Sequence, residues 1–271
     1  MDEHLNQYCY FIDYNQKIEK NETYSIIVNN KIQLEQMKMT PLIAMIFDVE
    51  TTGLLNMRAA LPALELCPNV LQLSYIMYDI RNKETIKQTN HYVKIPDDVI
   101  IAPQSYAVHG ITREMCNAGK PMVDILEEFY RDYHNSHLLI AHNYKFDSTM
   151  INIEIQRNWP LLKEKCPYSL NLFTPVYMKN NQLQKCCTME TCTDLCKITF
   201  PDRPEEPGKP VRYKWPTLLE LHRHLFKTEP ENLHNSLVDC MVCLRCFLKV
   251  YNDYHMDEEV FKAMVLSALG C

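Results

Sequence analysis

Residues 42–53, LIAMIFDVETTG, place two carboxylates directly after an apolar run. A continuous apolar stretch of this length is more typical of a buried strand than of a helix. Residues two apart in a strand point to the same face, so Asp48 and Glu50 are expected to project together from its end. Residues 51–53 then supply turn chemistry, in which Gly53 allows a positive φ or a close approach of another backbone. Alone, the segment fits a strand ending in an acidic loop equally well.

A second segment, residues 138–147, repeats this order of features as LLIA followed by HNYKFD. The short apolar run again predicts a buried strand. Apolar residues from Phe146 onward recur with a helical period, so Asp147 is expected on the first turn of a helix at the strand's carboxyl end. A carboxylate there also complements the helix dipole, so a structural role suffices for Asp147 alone.

A third segment, residues 234–239 or HNSLVD, introduces the most apolar late helix. Ser236 and Asp239 are spaced like a capping box, which gives Asp239 a structural explanation as well. His234 lies five positions before Asp239, an offset that separates the two around a continuous helix. They can meet only if His234 lies on the preceding loop and folds back.

The three segments together have a chemical meaning that none has alone. Four carboxylates gathered at strand ends and helix starts repel one another unless a counter-charge is present. Hard oxygen ligands suit Mg²⁺ or Mn²⁺, and such a cluster can hold two ions about 3.5–4 Å apart for an in-line phosphoryl displacement. Histidine, with an ordinary pKa of about 6.5, is suited to deprotonate the attacking water. The set therefore predicts a nuclease.

The same segments resemble the signature motifs of the DEDDh, or DnaQ-like, exonucleases, a family that includes proofreading subunits of DNA polymerases. Acidic-x-Glu followed by Thr-Thr-Gly matches residues 48–53, and His-Asn-x-x-Phe-Asp matches residues 142–147. The histidine five residues before an aspartate matches His234 and Asp239. Residues 109–112, HGIT, resemble a further segment common in the family. Every catalytic position of the pattern is present.

The resemblance implies an α/β protein with a ribonuclease-H-like mixed five-stranded sheet flanked by helices. It implies removal of nucleoside 5′-monophosphates from the 3′ end of DNA or RNA, with single strands preferred, using two Mg²⁺ or Mn²⁺ ions. The implied catalytic residues are the general base His234 and the metal ligands Asp48, Glu50, Asp147 and Asp239. The implied substrate-binding residues are Thr51, Thr52, Gly53, His142 and Asn143, of which His142 and Asn143 are expected in a supporting role that orients ligands.

Composition limits the class of protein. The chain has 271 residues, 46% of them hydrophobic and 23% charged, which is typical of a globular protein. No apolar run is long enough to cross a membrane, and the start lacks the features of a signal peptide. We therefore expect a soluble intracellular protein of the cytoplasm or nucleus, without a membrane partner. The expected domains are an N-terminal extension with a hairpin pattern (1–42), the exonuclease domain (43–253) and a C-terminal helix (254–271).

The net charge of −6 is unusual for a protein that binds nucleic acid through a broad basic face. Binding is therefore expected at a small site for a free 3′ end. Local basic candidates lie in the loop of residues 200–216, whose acids nearly balance them. A polymerase or another replication or repair protein is a further candidate partner, and the oligomeric state stays open.

Three alternatives remain. The motifs fix the chemistry and not the sugar, so an RNA-trimming or oligoribonucleotide-degrading enzyme fits as well. A non-catalytic subunit could keep the fold to bind a 3′ end or a polymerase. A zinc-stabilised module could use Cys186, Cys187, Cys192 and Cys196, although their spacing matches no familiar paired pattern and buried cysteine as a small hydrophobe is favoured.

Two local expectations concern the surroundings of these motifs. Residues 55–68, rich in leucine and alanine, are expected to form a helix beside the first motif. His222 and His224 lie on a helix predicted for residues 217–226, and both are expected at the surface.

Overall fold

The computed structural model describes residues 42–200 and 211–270. The hairpin expected in the N-terminal extension lies outside the described residues. Within them, five strands form one mixed sheet in the order β3-β2-β1-β4-β5. The strands are β1 (Ile43–Thr51), β2 (Val70–Asp79), β3 (Glu84–Tyr92), β4 (Leu138–Ala141) and β5 (Gln184–Cys187). The predicted five-stranded fold is therefore confirmed.

The central strand is β1, whose apolar residues are buried on both faces. It pairs antiparallel with β2 and parallel with β4, and β4 pairs parallel with β5. The carboxyl ends of β1, β4 and β5 therefore meet at one edge of the sheet, called the carboxyl edge below. Because helices cover both faces of the central strand, its side chains are apolar until the strand ends, and the polar residues follow there.

Helices follow the strands along the chain. They are α1 (Pro103–His109), α2 (Arg113–Asn117), α3 (Met122–His134), α4 (Tyr144–Arg157), α5 (Trp159–Lys165), α6 (Pro175–Asn180), α7 (Thr188–Thr191), α8 (Thr193–Cys196), α9 (Leu218–Phe226), α10 (Ser236–Tyr251) and α11 (Glu258–Leu269). The described residues also contain two short 3-10 turns, at Leu64–Leu66 and Pro167–Asn171. The predicted C-terminal helix is present as α11. None of the described helices is long and apolar enough to cross a membrane.

The alternation of β1 distributes its side chains between two helical layers. Phe47 points into the main apolar core, where its ring meets Phe129 of α3 and Tyr144 of α4 edge-on. Asp48, one residue on, has Ser74 of β2 as its partner in the sheet. Ser74 in turn lies 2.6 Å from the hydroxyl of Ser236, at the start of α10. The carboxylates of β1 therefore face the layer that contains α10.

Two local expectations are wrong. Residues 55–68 contain only the 3-10 turn Leu64–Leu66, and Pro62, in the middle of the stretch, lacks the amide that a continuous helix needs there. Arg157 of α4 binds the carbonyls of Leu64, Cys67 and Pro68, which end this stretch. His222 is fully buried on α9, where its ring bonds to Thr228 and Arg245; only His224 is exposed.

Candidate active site and metal centre

The end of β1 carries Asp48 and Glu50 on one face of the sheet, as the strand period requires. Glu50 lies opposite Gln72 of β2, and the register shifts immediately afterward, between Glu50 and Thr51. A bulge at this position bends the strand and redirects the side chains next to it. Both carboxylates are partly buried, so neither is fully hydrated.

The turn after β1 is held by three separate segments. The amide of Thr52 donates to the carbonyl of Asn69, the amide of Asn69 donates to the hydroxyl of Thr52, and the carbonyl of Thr52 accepts the amide of Ala102. The carbonyl of Thr51 lies 3.2 Å from Nε2 of His109. Because Nδ1 of His109 accepts the Ile111 amide, Nε2 carries the proton and donates it to Thr51. The turn is thus rigid before any substrate arrives.

Gly53 shows neither the positive φ nor the close approach of another backbone that its position suggested. It has no positive φ, and no protein atom lies within 4 Å of the position that a Cβ would occupy. The space beside it is open, so neither turn geometry nor a neighbouring backbone explains the glycine. Its predicted contact with substrate stays a prediction.

Asp147 lies on the first turn of α4, as predicted. The helix starts at Asn143, whose φ of 79° is left-handed and whose carbonyl accepts the amides of Phe146 and Asp147. Burial raises the pKa of Asp147 well above its usual value, against the backbone amide of Val49, which lowers it. Oδ2 of Asp147 is buried and has no hydrogen-bond partner. Such an orphaned acceptor requires an explanation, and a bound cation supplies one.

His142 uses both ring nitrogens within the protein. Nε2 lies 3.0 Å from the carbonyl of Pro216 and Nδ1 lies 2.9 Å from the hydroxyl of Thr188. The Pro216 carbonyl can only accept, so Nε2 carries the proton and Nδ1 accepts from Thr188. Burial lowers the pKa of His142 to about 4, which keeps the ring neutral. The geometry favours support of the carboxyl edge over the predicted substrate contact, which stays a prediction for both His142 and Asn143.

Asp239 and His234 meet at the start of α10. The backbone amide of His234 donates to the carboxylate of Asp239, at 3.1 Å from Oδ2. The loop therefore folds back as the five-residue offset requires. The expected capping box is wrong: the N-cap is Asn235, whose side chain accepts the Leu237 amide, while Ser236 bonds to Ser74. Asp239 is thus not engaged in capping.

The backbone of His234 is in the left-handed region, with φ of 69°. This conformation is uncommon for residues other than glycine and costs free energy, so it persists only where surrounding contacts enforce it. The bond to Asp239 is one such contact. The side chain of His234 is exposed, so a fixed backbone presents a ring that solvent can reach.

Burial raises the pKa values of all four carboxyl groups, and the charges of neighbouring carboxylates add to this for Asp48, Glu50 and Asp147. Burial is the largest cause for Asp48, followed by the charges of Asp147, Asp239 and Glu50. Burial, followed by the charges of Asp239 and Asp147, raises the pKa of Glu50 to about 9. Burial also raises the pKa of Asp239 to about 7, against the His234 amide. The cluster is therefore electrostatically incomplete at neutral pH and gains from a positive charge.

The donor set fits a divalent cation. One ligand atom from each of Glu50, His234 and Asp239 lies within 4.8 Å of the others, and this is the only such group found among the described residues. Carboxylate oxygens are the ligands that Mg²⁺ and Mn²⁺ prefer. No cysteine joins the group, and Cys186, Cys187, Cys192 and Cys196 are free thiols. The fold and the cluster together define a ribonuclease-H-like domain with a candidate metal centre at its carboxyl edge.

The family model described as Exonuclease (RNase T) matches residues 45–247. The chain therefore belongs to this exonuclease family, and the predicted resemblance to DnaQ-like exonucleases is confirmed. Membership implies a nuclease that depends on a divalent metal ion. No curated protein sequence matches the chain.

Solved structures of E. coli exonuclease I have a similar fold. A complex with a dA16 oligonucleotide is 16% identical, with a TM-score of 0.50, over 83% of this chain and 43% of that chain. A zinc-bound complex with single-stranded DNA is 16% identical, with a TM-score of 0.52, over 84% and 43%. A further exonuclease I structure is 16% identical, with a TM-score of 0.53, over 83% and 43%. The chain spans less than half the length of these proteins, and the likeness shows the fold alone.

Sequence reasoning missed the supports of the site. Asn69, Ala102 and His109 hold the turn after β1, and none of them was assigned a role. The HGIT segment was a signal for His109, but nothing local connects it with a strand more than fifty residues earlier. Its pKa is lowered by burial and, to a smaller extent, by nearby His234, so His109 too belongs to the site.

Proposed function

We propose that this protein is a metal-dependent 3′→5′ exonuclease that removes nucleoside 5′-monophosphates from single-stranded DNA or RNA. The observation that carries the proposal is the convergence of four buried or partly buried carboxylates with one exposed histidine at the carboxyl edge. A module that only binds a 3′ end has no need of that histidine. The alternative of a non-catalytic subunit is therefore second.

Asp48, Glu50, Asp147 and Asp239 would hold two Mg²⁺ or Mn²⁺ ions. Bound at such a site, divalent ions supply charge stabilisation for an in-line phosphoryl displacement and make water more acidic. The role of the protein is to hold the four carboxylates close together, so that bound cations can take the place of protons in neutralising them. The orphaned Oδ2 of Asp147 and the raised pKa values of Glu50 and Asp239 support this assignment.

His234 is the proposed general base, which takes the proton from the attacking water. Its ring belongs to the group in which ligand atoms of Glu50 and Asp239 lie within 4.8 Å. Its exposed side chain can pass the proton to solvent, while the bond from its amide to Asp239 fixes the backbone. A base must lie within reach of the water that it deprotonates, and geometry is the first test.

The 3′-terminal nucleotide is proposed to lie against the turn formed by Thr51, Thr52 and Gly53. Open space beside Gly53 leaves room for it. Two exposed apolar side chains lie close to the turn along the chain. Leu54 directly follows Gly53 and is 91% exposed. Ile100 is 82% exposed and comes two residues before Ala102, whose amide binds Thr52. Exposed apolar groups beside a polar centre suit unpaired nucleobases. Oligonucleotide complexes of exonuclease I support a single-stranded substrate.

The test uses single-stranded DNA and RNA labelled at the 5′ end, incubated with the purified protein and Mg²⁺, Mn²⁺ or EDTA. We expect stepwise shortening that requires metal. Asp239→Asn and His234→Ala should each reduce the rate by at least about 10²-fold, since each removes a group that acts in the transition state. Relative rates on the two nucleic acids decide between a DNA and an RNA substrate.

Matched controls come from the protein surface. Asp253→Asn changes an aspartate whose side chain is 97% exposed, and His224→Ala changes an exposed histidine. Both should retain the wild-type rate. Shortening that starts from the 5′ end, or rates insensitive to Asp239→Asn and His234→Ala, would contradict the proposal. Binding of a 3′ end with no cleavage in either metal would favour the non-catalytic alternative.

A further inference from the structure

Trp215 is 56% exposed, although the segment around it is firmly held. The amide of Lys214 bonds to the carbonyl of Ile198 at 2.8 Å, and Tyr213 forms a β-bridge with Thr199. Pro216 follows, and its carbonyl accepts the bond from His142. The backbone that carries this indole is held in place, and exposed aromatic surface of this kind is characteristic of contact sites.

His142 places this segment at the carboxyl edge. It directly follows β4, and its other ring nitrogen bonds to Thr188, which directly follows β5. The carbonyl that it binds belongs to Pro216, the neighbour of Trp215. Trp215 therefore lies at the same edge as the carboxylate cluster, but on the side of β4 and β5.

The cation next to Trp215 is already paired. The ammonium of Lys214 is paired with both carboxylate oxygens of Glu220, at 2.7 and 2.8 Å. That pair removes Lys214 as a free phosphate ligand and also fixes the start of α9, where Thr217 and Glu220 form a capping box. The exposed ring of Trp215 is an aromatic face on which every nucleobase can stack.

We propose that Trp215 is a stacking site for a nucleobase of the substrate strand, upstream of the 3′-terminal nucleotide. The proposal rests on the proposed function and adds a second binding point to it. Neighbouring strands are about 4.8 Å apart, so β1 and β5, with β4 between them, are separated by about 10 Å. Trp215 is tied to the ends of β4 and β5 and not to β1, so at about 3.4 Å per nucleotide of a stacked strand the base on it lies a few nucleotides from the terminal one.

The two tryptophans of the chain, Trp159 and Trp215, allow a direct measurement. In the Trp159→Phe variant the tryptophan emission comes from Trp215 alone. Titration with oligothymidylates in EDTA, where cleavage is blocked, should quench this emission with an octamer and not with a dimer. The reciprocal Trp215→Phe variant, which reports Trp159, should show no quenching by either. Anisotropy of a 5′-labelled octamer measures binding independently.

Kinetics give a second readout. Trp215→Ala should raise the KM for an octanucleotide about 5- to 100-fold, as expected for one lost base stack, and should affect a dinucleotide much less. Trp215→Phe should restore most of the affinity, because a smaller ring still stacks. Trp159→Phe is the matched control and should leave the KM for both lengths unchanged.

The outcomes separate the two proposals. Metal-dependent hydrolysis with an unquenched Trp215, or with equal KM changes for both lengths, overturns the stacking site and leaves the exonuclease standing. Quenching by the octamer without hydrolysis in any metal supports the stacking site and overturns the exonuclease.

Discussion

Helix α10 contains two buried charges of opposite sign, Asp239 near its start and Arg245 in its second half. Asp239 is 8% exposed and Arg245 is 1% exposed. Around Asp239, buried carboxylates face one another and raise one another's pKa values. Around Arg245, the protein supplies an opposite charge, a neutral acceptor and aromatic faces. Two parts of one helix thus each bury a charged side chain, and the surroundings of the two charges differ.

Arg245 is compensated within the described structure. Its guanidinium bonds to the carboxylate of Glu258 at 2.6 Å and to Nε2 of His222 at 3.1 Å, and only its Nε lacks a partner. The rings of Phe226 and Phe261 lie 4.1 and 4.5 Å from its central carbon. These contacts join α9, α10 and α11, so the region is a structural connection. The carboxylate cluster is instead incomplete, which suits a site that receives metal ions.

The largest expected effect on stability comes from Arg245→Met. It removes a buried charge from its partners, a change that costs about 3–5 kcal/mol in general. Glu258 is about one-third exposed and can rehydrate, so the lower end, about 3 kcal/mol or a Tm decrease of about 10 °C, is expected. Thermal unfolding measures this, and Arg223→Met, at an exposed surface pair, is the control that should change little.

Asp239→Asn changes the other buried charge of α10 and should have the opposite effect on stability. In metal-free protein it should leave Tm unchanged or raise it, because it removes one of the mutually repelling carboxylates. A Tm decrease as large as that of Arg245→Met would mean that Asp239 is a structural residue.

The pH dependence of stability should distinguish the two regions further. Carboxyl groups of the unfolded chain have pKa values near 4. Folding raises the pKa of Asp239 to about 7 and that of Glu50 to about 9, so between pH 5 and 9 the folded protein holds more protons than the unfolded protein. Stability of the metal-free protein should therefore fall as pH rises through this window. Thermal melts in EDTA should show a Tm decrease of several degrees.

Metal should reverse this trend, because a bound cation replaces the protons. The Tm increase on adding Mg²⁺ is expected to be larger at pH 9 than at pH 5, and Asp239→Asn should flatten the slope measured in EDTA. A metal effect of equal size at both pH values would show that the carboxylates are already ionised without metal.

The smallest effect is expected for His222→Gln. Burial is the main cause that lowers the pKa of His222, and the charge of Arg245 lowers it further. The stabilisation by the neutral ring is therefore complete above the unfolded pKa of about 6.5 and is lost as pH falls through the lower folded value. The cost of His222→Gln should be about 1 kcal/mol at pH 8 and smaller at pH 5.5. Equal costs at both values would mean that His222 does not titrate in this range, and His224→Gln is the exposed control.

Several features could be predicted because their signals are local. The apolar run before Asp48 predicted the central strand, and the helical period after Phe146 placed Asp147 on a first turn. The five-residue offset between His234 and Asp239 predicted a loop that folds back, which the bond between them confirms. In each case, periodicity and chain connectivity suffice, since no distant residue is needed to choose the structure.

Other predictions failed where a distant residue decides. The leucine- and alanine-rich stretch of residues 55–68 has a helical composition, but Pro62 interrupts it and Arg157, from α4, binds carbonyls at its end. His222 lies on a helix whose composition is typical of the surface, but its ring binds Arg245 and Thr228 and is buried. A side chain from another element can reverse a local preference, because one satisfied buried group outweighs a few tenths of a kcal/mol of propensity.

The sequence by itself determined the kinds of residue available for chemistry and the strand ends and helix starts that carry them, because these follow from periodicity and motif spacing. Only the tertiary structure decided which groups meet. It brings Glu50, His234 and Asp239 within 4.8 Å of one another, fixes the neutral form of His142, and leaves Trp215 exposed at the same edge. The physical reason is that hydrogen-bond partners, desolvation and charge repulsion depend on distances between segments far apart in the chain, which no local pattern specifies.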